Sequence, residues 1–184
     1  MFDAIVGTEN LFAAWREFRR GKRSKPDVQA FERCLEDEVF QLHEDLVTGR
    51  YRHGSYTRFH IFDPKHRVIH KALVRDRLVH HVVHRVLAPL FDRSFIFDSY
   101  SCRIGKGTHA AVRRLEVFAR RVSRNATRVC WALQFDIKKF FDSVDHDILL
   151  RLLARKVRDA RTLGLLEEIV RSFGPSDCVG GATR

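Results

Sequence analysis

The sequence is short of acidic residues, long apolar runs and paired cysteines. It has 23 Asp and Glu against 34 Lys and Arg, a formal net charge of +11. No stretch approaches the ~18 apolar residues that a membrane-spanning helix needs, and the start, MFDAIVGTEN, lacks the blocks of a secretory signal. The four cysteines form no C-x-x-C pair, which disfavours a zinc site or redox couple. These absences predict a cytoplasmic protein with reduced thiols and no membrane partner.

The chain nevertheless contains enough apolar material for a folded core. Hydrophobic residues make up 45% of its 184 residues and aromatic residues 11%, so disorder is excluded as the general state. The length suits one domain or a large piece of one.

The positive charge is concentrated in residues 103–128, which carry eight arginines and lysines against one acid, Glu116. A surface of this kind attracts polyanions, nucleic acid first. A solvated helix face explains a charge run equally well. The eight residues are Arg103, Lys106, Arg113, Arg114, Arg120, Arg121, Arg124 and Arg128.

Histidine is the second bias, because seven of the ten histidines lie within residues 53–84. His80 and His84 are spaced to share a helix face and could chelate a metal. The H-E-x-x-H zinc motif needs Glu where this chain has His81. A polar, partly charged face is therefore the preferred interpretation, and a histidine-rich metal protein is the last-ranked alternative.

Apolar periodicity predicts helices over residues 11–20 and 27–48, the second ending at Gly49, and a β-hairpin with a basic tip over 56–69. A helix capped by Asp76 and ending near Pro89 follows, and then a helix capped by Thr108. Residues 129–135 read as a buried strand ending at Asp136, before two further helices and a Gly-rich, irregular end. The helix after Thr108 is predicted to turn Ala111, Leu115, Phe118 and Val122 inward.

A carboxylate at the end of a buried strand is the arrangement by which polymerases hold magnesium, since nucleotidyl transfer needs hard oxygen ligands for two Mg²⁺ ions. The simpler explanation of Asp136 is a cap on the turn after the strand. The residues around Asp136 favour the magnesium-binding interpretation over the cap. Residues 134–146, QFDIKKFFDSVDH, closely resemble the first palm motif of reverse transcriptases, particularly those of bacterial retroelements.

Three upstream blocks extend this resemblance in the order that the family has them. KHRVI at 65–69, RDRLVHH at 75–81 and SYSCRIGKGTH at 99–109 resemble the finger-region blocks. The last is closer to diversity-generating retroelements than to group II introns. The resemblance implies an α+β fold, with helix-rich fingers, a β-hairpin and an incomplete palm. It implies an N-terminal helical segment at 1–50, fingers at 51–128 and a partial palm at 129–184.

The resemblance also assigns roles by position. Asp136 would be the catalytic, metal-binding carboxylate, with the backbone carbonyl of Ile137 as a further metal ligand. Phe141 would be the steric gate that selects deoxynucleotides, although core packing explains it too, and Phe140 would line the nucleotide site. One of these two rings is expected to face inward. Lys65 and Arg67 would hold the triphosphate, while nucleic acid would be bound by Arg103, Lys106, Arg113, Arg114, Arg120 and Arg121.

The function implied is an RNA-directed DNA polymerase in a bacterial cytoplasm, with two Mg²⁺ ions, an RNA template, a DNA or RNA primer and deoxynucleoside triphosphates. An accessory protein is an open further partner. The second motif of the family, Tyr-x-Asp-Asp, is absent from this sequence. The chain is therefore expected to be a fragment of the enzyme that is inactive alone. The alternative is a non-catalytic RNA-binding module derived from a reverse transcriptase.

Overall fold

The computed structural model describes residues 1–173, except for the side chain of Asp142. These residues form eight α-helices and one β-hairpin, 55% helix and 7% strand, which confirms the predicted α+β class. None of the described helices is long and apolar enough to span a bilayer. Cys178 and the Gly-rich end lie outside the described residues. The elements are α1 (Phe2–Val6), α2 (Thr8–Phe18), α3 (Pro26–Arg33), α4 (Leu35–Val47), β1 (Thr57–Phe62), β2 (His66–Lys71), α5 (Val74–Asp92), α6 (Thr108–Val122), α7 (His146–Ala154) and α8 (Ala160–Arg171).

Contacts along the chain separate two compact units. The larger unit comprises Met1–Ala88 and Asp145–Arg184, and the smaller unit comprises Pro89–Val144, so the boundary falls inside α5. The family resemblance divides the chain differently, into an N-terminal helical segment, fingers and a partial palm, and that division stays a prediction.

The apolar core lies in the larger unit. Helix α2 packs against α1 and α4, and α3 packs against α4. Trp15 is 1% exposed, and its ring centroid lies 5.0 Å from that of Phe31. Each fully buried leucine or isoleucine contributes about 1.5–3 kcal/mol relative to an exposed one. Fully buried apolar side chains of this core include Ile5, Leu11, Leu42, Leu78 and Val82.

The single helix predicted over 27–48 is wrong at one position. The chain leaves helical geometry at Cys34 (φ −118°, ψ 34°), which separates α3 from α4. The spacing of apolar residues continues across Cys34, so this spacing alone does not show the boundary between α3 and α4. The missed signal is the acidic run Glu36, Asp37 and Glu38 in the first turn of α4, because carboxylates are favoured at a helix N-terminus.

The predicted β-hairpin is confirmed. Strands β1 and β2 pair antiparallel, with Thr57 opposite Lys71 and Phe62 opposite His66. Both ends of the next helix differ from the prediction. Helix α5 begins at Val74, so Asp76 lies inside its first turn and does not cap it, and the helix continues through Pro89.

Helix α6 is the one α-helix that lies wholly within the smaller unit, and its N-cap is Gly107 at φ +110° and not Thr108. The predicted inward stripe of α6 is wrong: Leu115, Phe118 and Val122 are 63%, 39% and 65% exposed, and Ala111 is half-buried. The predicted strand over 129–135 is also absent. A strand needs neighbouring strands to satisfy its N–H and C=O groups, and the described residues offer 129–135 none.

The two helices predicted after residue 145 are confirmed as α7 and α8. The Asp145 side chain accepts a hydrogen bond from the backbone N–H of Ile148 at 2.9 Å, which caps α7. Asp159 caps α8 by accepting from the N–H groups of Arg161 and Thr162. These caps satisfy backbone donors that the first helical turn leaves without partners.

Candidate nucleic-acid interface

The hairpin tip carries the two cations expected to hold a triphosphate. Lys65 lies in the turn and Arg67 in β2, opposite Ile61. Both are exposed, and neither makes a hydrogen bond or ion pair with another described residue. They are therefore available to an anion, and their assignment to the triphosphate stays a prediction.

The root of the hairpin is held by a buried carboxylate. Asp76, 1% exposed, accepts hydrogen bonds from the Tyr51 hydroxyl at 2.8 Å and the Gly54 backbone N–H at 3.1 Å. Burial, and then the charge of Asp76, raises the pKa of the Tyr51 phenol. A Cβ on Gly54 would lie 2.7 Å from Leu73 Cδ1 and 3.0 Å from Asp76 Oδ2, so a larger residue would require the Leu73 side chain to shift. These hydrogen bonds hold the segment before β1 against the first turn of α5.

Two histidines, His53 and His80, also lie at the root of the hairpin. The His53 side chain is fully buried, and its Nδ1 donates to the Gly54 carbonyl at 2.7 Å. Its Nε2 lies 3.1 Å from His80 Nε2, within hydrogen-bonding distance of that ring. Burial, and then the neighbouring His53, lowers the pKa of His80. The interpretation of these histidines as a polar, partly charged face is wrong for His53, whose side chain is buried.

A zinc site finds no support in the described part of the chain. Residues 1–173 hold no group of three His, Cys, Asp or Glu side chains placed to bind one metal ion. His80 faces His53 in the hairpin root, whereas His84 is exposed.

Arg103 organises the loop that precedes α6. Its guanidinium donates to the Asp92 carboxylate at 2.6 and 3.3 Å and to the carbonyls of Ile96 and Ser99. This fork of hydrogen bonds lowers the pKa of Asp92. The side chain of Arg103 is only 13% exposed, so its donors already have protein partners. A contact with template or primer phosphate stays a prediction.

Lys106 and Arg114 interleave with aromatic rings. Lys106 Nζ lies 3.8 Å from the centroid of the Phe97 ring and 5.0 Å from that of Tyr100. The Arg114 guanidinium lies 5.2 Å from the Phe97 centroid and 4.4 Å from that of Phe118. Cations held over ring faces in this way are attracted by the ring quadrupole.

The carboxylate of Asp98 holds Arg114 in place, since Arg114 Nε donates to it at 2.9 Å. That hydrogen bond lowers the pKa of Asp98 and raises that of Arg114. Phe97 remains 68% exposed. Exposed rings between cations are typical of surfaces that bind single-stranded nucleic acid.

The other predicted basic residues lie on α6. Arg113 and Arg121 are exposed and have no hydrogen-bond or ion-pair partner among the described residues. Arg120 pairs with Glu116 one turn away, at 2.6 Å. Eleven lysines and arginines against five acids give the smaller unit an excess of six positive charges.

The predicted catalytic segment is exposed. Asp136 follows residues 129–135, whose apolar members Val129, Trp131, Leu133 and Phe135 are 82%, 93%, 87% and 81% exposed. The expectation of a buried strand is therefore wrong, and Asp136 does not emerge from a core.

The two phenylalanines after Asp136 pack on each other. Phe140 and Phe141 make an edge-to-face contact at 5.4 Å. They are 50% and 87% exposed, so the expectation that one faces inward is also wrong. The gate and nucleotide-site roles stay predictions, as does the metal-binding role of Asp136 and Ile137.

Sequence reasoning missed two sets of residues. The partners of the basic loop, Asp92, Phe97 and Asp98, lie in the stretch FDRSFIFD directly before it, where acids and aromatic rings alternate. The buried acceptor Asp76 was assigned to a helix cap, and nothing in its local sequence marks its partner Tyr51.

No family model matches the chain, but comparison with known proteins finds relatives of low identity. Protein YkfC of Escherichia coli is 26% identical over 137 residues, covering 73% of this chain and 35% of that protein. Nuclear intron maturase 1, mitochondrial, of Arabidopsis thaliana is 28% identical over 99 residues, 54% of this chain and 13% of the maturase. Group II intron-encoded protein LtrA of Lactococcus lactis is 22% identical over 140 residues, 74% of this chain and 22% of LtrA.

The chain therefore spans about a third or less of the length of these relatives. The matches cover about half to three-quarters of the chain at low identity. They agree with the resemblance carried by the four ordered sequence blocks, and the chain is similar to intron maturases and to a group II intron-encoded protein.

Proposed function

We propose that this chain binds RNA as the fingers and first palm segment of a bacterial retroelement reverse transcriptase. The carrying observation is the alternation of cations and exposed aromatic rings formed by Lys106, Arg114, Phe97 and Phe118. Phosphates are attracted by the excess charge, and unpaired bases stack on rings whatever their sequence. The intron-encoded relatives support an RNA ligand.

Within the complete enzyme, Lys65 and Arg67 are proposed to bind the triphosphate of a deoxynucleotide. The nucleotide-site role of Phe140 and the gate role of Phe141 are proposed from the sequence resemblance alone. The support is that both cations are exposed and unpaired among the described residues. An arginine fork and a flexible ammonium suit phosphate oxygens.

Magnesium would be bound by the Asp136 carboxylate and the Ile137 carbonyl, which are the hard oxygen donors that Mg²⁺ prefers. These two oxygens are of the type that Mg²⁺ prefers, but they are too few to bind the ions. The described residues hold no group of three His, Cys, Asp or Glu side chains placed to bind a metal ion, and one carboxylate cannot organise two ions. We therefore derive no polymerisation step from these residues and propose that the chain alone does not extend a primer.

The alternative function is a non-catalytic RNA-binding module. Its specific support is the exposure of the segment around Asp136, which has no neighbouring strand among the described residues. The choice between a group II intron and a diversity-generating retroelement as the source is likewise a proposal; the relatives favour the intron.

RNA binding is tested by fluorescence anisotropy of a labelled single-stranded RNA across a salt series. The double variant Arg113→Gln, Arg121→Gln removes two unpaired cations of α6. It should flatten the slope of log K against log salt by about 1.4, because each phosphate contact on a single strand contributes about 0.7. The control Arg16→Gln, Arg23→Gln removes the same charge from exposed sites of the larger unit. Equal slopes for the two double variants would contradict the proposed surface.

The two functions differ at Asp136. A polymerase segment predicts that magnesium and deoxynucleotide together tighten RNA binding and that Asp136→Ala abolishes this gain. A purely RNA-binding module predicts binding that ignores magnesium, deoxynucleotide and Asp136→Ala alike. The control is Asp145→Ala, which removes a nearby carboxylate that caps α7.

A further inference from the structure

Three aromatic rings gather on one face of the hairpin. Phe62 lies opposite His66, and His60 precedes Phe62 by two residues, so the strand pleat brings all three to the same side. The ring centroids of Phe62 and His66 are 4.8 Å apart and those of His60 and His66 are 5.0 Å apart. The ring planes differ by only 24° and 7°, so the cluster presents flat, nearly parallel surfaces.

A hydrogen bond holds this ring cluster together. His60 Nδ1 and His66 Nε2 lie 2.7 Å apart, so one imidazole donates to the other and the two rings stay parallel. Rings fixed before a ligand arrives lose less conformational freedom when it binds.

The ring cluster is open to solvent. Phe62 is 75% exposed, and every residue of β1 is exposed. A phenylalanine in this position stabilises no core, so folding alone does not explain it.

The charge around the ring cluster selects the kind of partner. Residues 57–71 carry four lysines and arginines and one acid, Asp63, an excess of three positive charges. Lys65 directly precedes His66 in the turn. An apolar protein surface placed on the rings would bury Lys65 and both imidazoles, which is costly. A nucleotide instead brings a flat base for the rings and a phosphate for the lysine.

We propose that the ring cluster is a stacking site for an unpaired base of single-stranded nucleic acid, with Lys65 contacting a neighbouring phosphate of that strand while no deoxynucleotide is bound. This inference rests on the proposed RNA binding and names one place where a base is held. Arg67 and Ile61 occupy the opposite face of the hairpin, so they do not contact the stacked base.

The test measures binding of the full chain to a labelled single-stranded RNA by fluorescence anisotropy. Phe62→Ala should weaken binding about 5- to 140-fold, the range for losing one base–aromatic stack, without changing the salt slope. Phe62→Trp should retain binding. The matched control is Ile61→Ala, which truncates an exposed apolar residue of the same strand on the other face. Lys65→Ala should instead reduce the salt slope by about 0.7.

A second RNA of the same length, with abasic sites in place of bases, separates stacking from other effects. If Phe62 stacks on a base, Phe62→Ala should have no effect on this abasic strand. Circular dichroism checks that the variants keep their helices, and the exposure of Phe62 predicts no change.

Equal affinities of wild type and Phe62→Ala for intact RNA would overturn the stacking site while leaving the proposed RNA binding in place. An equal loss in Phe62→Ala and Ile61→Ala, or an equal loss on the abasic strand, would also overturn it. Failure of the wild-type chain to bind RNA at all would overturn both proposals.

Discussion

Replacing Asp76 with alanine should destabilise the larger unit strongly, because two hydrogen-bond donors would then be left in a buried site. The Tyr51 hydroxyl and the Gly54 N–H both donate to this carboxylate. A buried donor without an acceptor costs about 1–3 kcal/mol, so two donors cost about 4 kcal/mol in the middle of that range. This is a large part of the 5–15 kcal/mol by which domains are typically stable.

Tyr51→Phe removes only one hydrogen bond to a charged acceptor and should cost about 1.5–3 kcal/mol. In the double variant, Tyr51→Phe with Asp76→Ala, the Tyr51 hydroxyl is absent and so cannot be left without an acceptor. The double variant should therefore be no less stable than Asp76→Ala alone, and the two effects should not add.

The assay is urea unfolding followed by tryptophan fluorescence. Trp15 is 1% exposed in the core of the larger unit, whereas Trp131 is 93% exposed in the smaller unit. A Trp131→Phe background therefore leaves a probe that reports on the larger unit. The control is Glu44→Ala, which breaks an exposed ion pair with Arg50 and should cost less than ~1 kcal/mol. Equal destabilisation by Asp76→Ala and Glu44→Ala would refute the reasoning.

Three further predictions concern titration and loop order. The lowered pKa of His80 means that the folded state binds fewer protons than the unfolded state, so stability should fall as the pH drops below about 6.5. Urea unfolding midpoints measured across pH check this. The variant His80→Gln should show a flatter dependence of the midpoint on pH. The Asp159 carboxylate accepts hydrogen bonds from the Phe2 backbone N–H and from the first turn of α8. These hydrogen bonds, with that from Phe2 the most important, lower the pKa of Asp159 to about 2. Its stabilising effect should persist above about pH 4 and be lost as the pH falls towards 2, and thermal unfolding of Asp159→Asn should lack that acid transition. Arg103→Lys cannot reproduce the fork of hydrogen bonds to the loop, so hydrogen exchange should quicken over residues 96–99, while Arg113→Lys should leave it unchanged.

The sequence predicted those elements that local pattern controls. The hairpin follows from alternating β-branched and aromatic residues around the Asp63-Pro64 turn, and α7 and α8 follow from a 3.6-residue period; the structure adds the caps Asp145 and Asp159. In these segments the pattern, the cap and the turn agree, which is the condition for a reliable prediction.

Prediction failed where structure depends on residues distant in the chain. Asp76 looks like a cap because Asp often occupies that position, and only its contacts with Tyr51 and Gly54 reveal a buried acceptor. Residues 129–135 have the composition of a strand, but composition does not provide a neighbouring strand. The candidate site was foreseen in part: Lys106 and Arg114 were expected from charge, and their ring partners were not.

The exposed row of Val129, Trp131, Leu133 and Phe135 has a consequence for the colloidal behaviour of the protein. An unpaired segment with this composition readily pairs with another copy, and the six excess positive charges of the smaller unit oppose that encounter. Salt shortens the reach of this repulsion from about 10 Å at 0.1 M to about 3 Å at 1 M, and bound RNA neutralises the charge directly. We therefore expect the protein to remain dispersed when free at low salt and to condense when saturated with RNA.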